Sequence, residues 1–400
     1  MDKINNALIE LLAYSTGCQA STAIDLKKDE WQLLFNEAIA HQIHLLIFQE
    51  AYKYGSTVNP ELFEMWKKIT IIFSLSSENR LSIIRDVLSS LKEAEIPVLA
   101  LKGLYFKYLY NYSSFRIMGD VDLLTKKESL ADTVKVIESF GYKQRYDVHD
   151  LKHLVFYHEQ YIGIELHFSL VTESRREAAA NLNNEIWKSA VYYQNNNLQL
   201  LIPSDFNHIL YCCIHMTNHL GKGGFGLRQL SDFNLLMRKN ISTIDMGLLM
   251  EQAYEYGIGK FLEALLYICH KLFYLQIPDS VVNLFKNSED YVDQLINLIV
   301  ESGVFGGKDN VAASNRSLAY SIEKNAMEVK RFSMRYLFPP RGSLSSTYSY
   351  ARDHAILLPA AWIHRLINNV FRRDLSIRDK IPDSNAINKY IKLFRWLDIK

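Results

Sequence analysis

Asp120 and Asp122 stand two residues apart in the stretch Arg116-Ile-Met-Gly-Asp-Val-Asp-Leu-Leu-Thr125. Side chains alternate across a strand, so the pair points to one face while Val121 and Leu123 turn to the core. Two carboxylates presented together can ligate a divalent metal, which takes oxygen ligands and leaves positions for water and phosphate. Glu165 lies between Ile164 and Leu166 on a later alternating run, and can join the aspartates if the two strands are neighbours. D-x-D alone recurs by chance, and two solvated aspartates on an exposed strand are its plainer reading. The preceding Ile96-Pro-Val-Leu-Ala-Leu-Lys-Gly103 shifts the balance. A short apolar run there ends in Lys102-Gly103 before a helix, and a glycine at such a turn lets a phosphate approach backbone N–H groups. Lys102 adds a cation at the same point, its alternative being a solvated turn lysine.

Other residues could assist. Arg116, in the loop feeding the acidic strand, can bind a phosphate bidentately or form an internal salt bridge. His167 shares the face of Glu165, where it can touch substrate, orient a carboxylate or make a structural hydrogen bond. His208, His215 and His219 share a helix face without the H-E-x-x-H pattern of a zinc protease, and are not read as metal ligands. Arg228 and Asp232, four apart on the next helix, are expected to pair with each other, or Arg228 reaches a nucleotide. Gly221-Lys-Gly-Gly-Phe-Gly226 lacks the Walker pattern and reads as a helix connector.

Periodicity defines the elements that must hold these residues. Residues 1–95 read as helices, with apolar spacings of three and four around Ala7–Ala13, Trp31–Ala38 and Leu81–Leu91. Residues 96–200 form a small mixed α/β unit. It contains a strand at Pro97–Leu101, a helix over Leu104–Tyr112, a strand at Asp120–Thr125 and a helix from Ser129 to Phe140 stopped by Gly141. A hairpin follows, from His153–His158 and Ile162–Phe168, and the polar Gln194-Asn-Asn-Asn197 reads as a loop ending the unit. Helices resume from Pro203 and fill residues 201–400, with a break at Pro339-Pro-Arg-Gly342. The fold class is α+β, predominantly helical, with a small mixed β-sheet core flanked by N-terminal and C-terminal helical regions.

A net charge of +1 excludes a strongly basic nucleic-acid binder, so any such contact needs a local patch. One basic cluster, Arg365, Arg372, Arg373, Arg378 and Lys380, is interleaved with Asp374, Asp379 and Asp383 and reads as a solvated face. The four cysteines, Cys18, Cys212, Cys213 and Cys269, have no CxxC spacing, so neither a zinc site nor a disulfide framework is expected. No apolar run approaches the roughly 20 residues that span a bilayer, and the N-terminus lacks a secretory pattern. The expectation is a cytoplasmic enzyme without a membrane partner.

Taken together, Leu101-Lys-Gly103, Arg116 with Asp120-Val-Asp-Leu-Leu124, Gly141-Tyr142, Ile164-Glu-Leu-His167, His215, His219 and Leu227-Arg-Gln-Leu-Ser-Asp232 resemble the uncharacterised-nucleotidyltransferase branch of the DNA polymerase β-like nucleotidyltransferase superfamily. The resemblance departs from the superfamily's usual Gly-Ser or Gly-Gly after the first strand, where this chain has Lys102-Gly103. It implies a nucleotidyltransferase core at 96–200 and a Mg2+-dependent transfer of NMP from an NTP such as ATP to a hydroxyl of a small-molecule or protein acceptor, releasing pyrophosphate. Asp120, Asp122 and Glu165 would be catalytic and metal-binding, with Mn2+ as the alternative ion. Lys102, Gly103 and Arg116 would bind nucleotide, and His167 and Arg228 would touch substrate. The alternative is a catalytically inactive nucleotide-binding or scaffold protein of the same fold.

Overall fold

The computed structural model describes residues 1–18, 24–145, 152–170, 181–195, 198–221, 223–285, 287–304, 310–324, 338, 341, 344, 348, 350–351, 354–371 and 383–399. Among the described residues, four helices precede the first strand: α1 (Lys3–Ser15), α2 (Lys28–Ala40), α3 (Phe48–Tyr52) and the long α4 (Pro60–Glu93). α4 begins where Asn59 Oδ1 accepts the Glu61 N–H at 2.9 Å and Pro60 takes the first turn, where its missing N–H costs nothing. Its buried Leu62, Trp66, Leu81, Ile84, Val87 and Leu91 recur at helical spacing and join the main core.

The sheet unit comprises β1 (Val98–Ala100), α5 (Gly103–Phe106), β2 (Asp120–Thr125), α6 (Leu130–Ser139), β3 (Lys143–Gln144), β4 (His153–Tyr157) and β5 (Gly163–His167). Its strand order is β1-β2-β5-β4-β3. β2 and β5 run parallel, and the other neighbours are antiparallel. A parallel pair needs a long crossover, supplied here by α6, β3 and β4. β2 is covered on both faces, so residues 121–125 are all buried and only Asp120 at its start is exposed. Gly141 ends α6 at φ +83°, a backbone that residues with a Cβ rarely adopt.

Beyond the sheet come α7 (Leu182–Lys188), the two-stranded β6 (Val191–Asn195) and β7 (Leu198–Ile202), then α8 (Asp205–Leu220), α9 (Leu227–Asn240), α10 (Met246–Glu255), α11 (Gly259–Phe273), α12 (Asp279–Leu284), α13 (Glu289–Ser302), α14 (Asn310–Lys324), α15 (Leu358–Phe371) and α16 (Ser384–Trp396). The chain is α+β and predominantly helical, as its pattern predicts. All four cysteines are buried free thiols. No helix among the described residues is long and apolar enough to cross a membrane.

Two local expectations are corrected. The helix over Leu104–Tyr112 stops at Phe106 and passes through a 3-10 turn at Lys107–Leu109. Tyr110 leaves helical backbone there, and its hydroxyl reaches Ser231 at 3.0 Å and Asp232 at 2.9 Å. Gln194 and Asn195 are not loop but the end of β6, with Asn195 opposite Leu198, so residues 196–197 join two antiparallel strands. Asn196 and Asn197 lie outside the described residues, as do Arg372, Arg373, Asp374, Arg378, Asp379 and Lys380 of the basic cluster and most of the Pro339–Gly342 break.

The helical regions lock onto one another at Gly226. His41 Nε2 donates to Val300 O at 3.0 Å, and its Nδ1 accepts the Leu227 N–H at 3.1 Å, which fixes a neutral tautomer. A Cβ on Gly226 would lie 2.5 Å from Gly303 O and 2.7 Å from His41 Nδ1. Backbone cannot swing aside as a side chain can, so Gly226→Ala is expected to destabilise by about 1–3 kcal/mol, the scale of overpacking. Urea unfolding checks this, and an unchanged midpoint contradicts the packing described.

Candidate functional site

The site begins at the turn after β1. The Leu101 N–H donates to Asp122 O at 3.0 Å, which ends the β1–β2 ladder, and Lys102 then adopts φ +43°, ψ −116°. That left-handed backbone favours glycine and costs a residue with a Cβ on the order of 1–3 kcal/mol. The Lys102 N–H donates to His208 Nε2 at 3.0 Å, from α8. Burial lowers the His208 pKa to about 3, so the ring stays neutral and its Nε2 can accept. The turn carries the Lys102 ammonium to 2.7 Å from Asp122 Oδ1 and 3.4 Å from His215 Nδ1.

The parallel register places Asp122 opposite Glu165 and Leu124 opposite His167. His167 Nε2 lies 3.0 Å from Asp122 Oδ1 and 3.6 Å from Glu165 Oε2. Asp122, Glu165 and His167 can each offer one ligand atom within 4.8 Å of the others. Burial would raise the Asp122 pKa, but the charges and hydrogen bonds of Lys102 and His167 outweigh it and hold the carboxyl well below the usual carboxylate range. Burial opposes the Lys102 charge too, and Asp122 more than restores it. Asp120 sits one pleat repeat earlier on the same face, opposite Gly163 and outside that compact trio. It opens onto the cavity, whose walls raise its carboxyl pKa first by burial and then through the Asp122 charge.

These groups line a cavity of about 640 Å³, together with Gly103, Arg116, Lys152, Arg228 and Tyr320. Arg116 is not an open anion receptor. Its Nε and Nη2 donate to Asp232 at 3.2 and 2.5 Å, and its Nη1 donates to Ile117 O at 3.0 Å. The salt-bridge alternative therefore describes it. Gly103 makes room for this guanidinium, since a Cβ there would lie 3.1 Å from Arg116 Nη1.

The expected Arg228–Asp232 pair is not formed. Both Asp232 oxygens are taken by the Arg116 fork, with Tyr110 adding to Oδ1, so Arg228 turns instead to Gln42 Oε1 and Ile117 O. Its Nε is buried with no acceptor, and its pKa falls to about 10, through burial first and then the nearby Arg116 charge. Arg228 remains charged at neutral pH.

The histidine stripe of α8 backs the site. His208 sits under Lys102, and His215 and His219 line the cavity with their Nε2 atoms 2.9 Å apart. Tyr320 and Lys152 also line the cavity and were not singled out from the sequence. Tyr320 comes from α14, and its ring packs where a Gly221 side chain would stand, 2.7 Å from a Cβ built there. The signal lay in Gly221 itself, a residue that permits close approach.

No curated protein matches the chain. The model of a family described as uncharacterised nucleotidyltransferases matches residues 27–274, a stretch that carries every cavity residue named above except Tyr320. Covering more than half of the sequence, that match shows that the chain belongs to the uncharacterised nucleotidyltransferase family.

Proposed function

We propose that the protein moves a nucleoside monophosphate from an NTP to an acceptor hydroxyl in a reaction that requires a divalent cation. The observation that carries this reading is the register of β2 and β5, which sets Asp122 beside Glu165 with Asp120 one repeat away, all facing one cavity. The donor set fits a hard cation. His167 already hydrogen-bonds Asp122 Oδ1, which leaves the oxygens of Asp120, Asp122 and Glu165 as ligands, the chemistry that Mg2+ and Mn2+ prefer. Those three carboxylates would hold the ion, whose contribution is to neutralise the triphosphate and acidify the acceptor hydroxyl.

The chain's own groups then position the reactants. Arg228, which borders the cavity and stays charged, binds phosphate oxygens from the α9 side, and Lys102 does so from the β1 turn. Glu165 accepts the proton of the acceptor hydroxyl as its oxygen bonds to the α-phosphorus and the α–β anhydride breaks, releasing pyrophosphate in line. His167 orients Asp122. Residues 96–200 supply this core, and the regions 1–95 and 201–400 supply its walls and the acceptor cleft.

One observation favours the alternative of an inactive nucleotide-binding protein: the Lys102 ammonium already occupies Asp122. Incubation with each labelled NTP, Mg2+ and cell extract separates the readings. The expected result is label transferred to one acceptor class by the wild type and not by Asp120→Asn. Label transferred equally by both, or by neither, contradicts the proposal.

A further inference from the structure

Lys102 bears on how a metal would reach this site, an inference that rests on the reading above. Its ammonium lies 2.7 Å from Asp122 Oδ1, on a side chain with only 14% of its surface exposed. Mg2+ bonds a carboxylate oxygen at about 2.0–2.1 Å. Even on the two oxygens of one carboxylate an ion and an ammonium stand only a few ångströms apart and repel, so the two compete for Asp122. We infer that Lys102 is an internal counter-cation that keeps Asp122 closed to free metal and yields it when a triphosphate arrives with its metal.

The turn is built for such a handover. Lys102 is rooted in a backbone that an L-residue rarely adopts, with its N–H fixed on His208, so the anchor stays still while the four-carbon stem rotates. Around the ammonium the Glu165 carboxylate attracts it less than Asp122 does, and the other neighbours hold it loosely. His215 Nδ1 stands 3.4 Å away, and the Tyr211 ring centroid is 5.8 Å away. Asp122 is thus its principal tether, and the cavity beside it gives the ammonium a destination on the phosphates. Metal and triphosphate then bind with positive coupling, because each removes an obstacle to the other: the metal takes the carboxylate and the triphosphate takes the ammonium.

The test is Mn2+ binding without nucleotide, followed by electron paramagnetic resonance of the full chain. The wild type is expected to bind Mn2+ weakly, Lys102→Gly at least about tenfold more tightly, and Lys102→Arg as weakly as the wild type. Glycine suits the φ of the turn, and Lys102→Gln repeats the measurement with the stem kept and the charge removed. Asp122→Asn should lose the tight binding when combined with Lys102→Gly. Equal Mn2+ affinity in the wild type, Lys102→Gly and Lys102→Gln overturns the inference and leaves the proposed reaction standing. If none of them binds Mn2+, the inference falls as well, and the labelled-NTP assay decides whether the reaction falls with it.

Discussion

Asp120→Asn and Asp122→Asn are both expected to reduce nucleotidyl transfer by on the order of 10³-fold or more, the scale on which single charge-stabilising groups act in such reactions. Their effects on stability should diverge. Asp120 makes no ion pair among the described residues, and its carboxyl pKa is raised, first by burial and then by Asp122. A raised carboxyl disfavours the folded state once ionised, so the amide should leave stability unchanged or raise it. Asp122 is the partner of Lys102 and His167. Its removal leaves a largely buried ammonium without its principal counter-charge, a loss of up to about 3–5 kcal/mol for a fully buried pair and less where a cavity admits water.

The pH dependence follows with its sign. The Asp122 pKa is lowered on folding, so its contribution is complete above the ordinary value of 3.8 and drains away as pH falls below it. The stability gap between wild type and Asp122→Asn should therefore narrow on acidification below about pH 4. Thermal unfolding at pH 7 and at pH 3 reads it. A gap that widens in acid, or transfer activity surviving in either variant, contradicts the site as described.

Arg116→Met should be among the most destabilising single substitutions in the chain. The Arg116–Asp232 pair is buried, with side chains 7% and 6% exposed, and Asp232 also accepts from Tyr110. Breaking a buried pair from one side costs about 3–5 kcal/mol, because the remaining charge stays behind without its partner. Removing both charges is far milder, so Arg116→Met with Asp232→Leu should recover a large part of the loss, although Tyr110 then loses one acceptor. A double-mutant cycle in urea measures the coupling, and additive effects would show that the pair is not the connection it is described as. The cycle also separates structure from chemistry. If Arg116 serves chiefly to fix α9 against the loop before β2, the double variant should regain fold more than activity, since Gly103 and Arg228 border the same guanidinium.

The acidic face was legible in two halves because strand alternation is local: period two alone pairs Asp120 with Asp122 and Glu165 with His167, and the β2–β5 pairing joins the halves. Even so, that period does not rank them. Only the tilt and register of β5 against β2 decide that His167, rather than Asp120, closes the compact trio with Asp122 and Glu165. The Arg116–Asp232 pair joins residues 116 positions apart, and the Arg228–Asp232 spacing offered a nearer but wrong partner. Helical spacing says which side chains can meet, and tertiary packing decides which do. The β6–β7 hairpin was legible in principle, since two asparagines between alternating runs form a turn signal. The backbone of Lys102 was not, because a lysine gives no hint of a glycine-like φ. Tyr320 was marked only indirectly, by Gly221, because the docking of α14 against α8 places it.

The parallel pairing of β2 with β5 also has a temporal meaning. Asp122 and Glu165 meet only after α6, β3 and β4 have formed between them, and Lys102 is fixed only when His208 docks across 106 positions of sequence. Such distant closures form slowly, because loop entropy is lost before contacts reward it. A chain emerging from the ribosome therefore lacks the anchor of the Lys102 turn until α8 has been made. The compact Asp122, Glu165 and His167 trio is therefore a property of the folded molecule, and no short segment of the chain carries it.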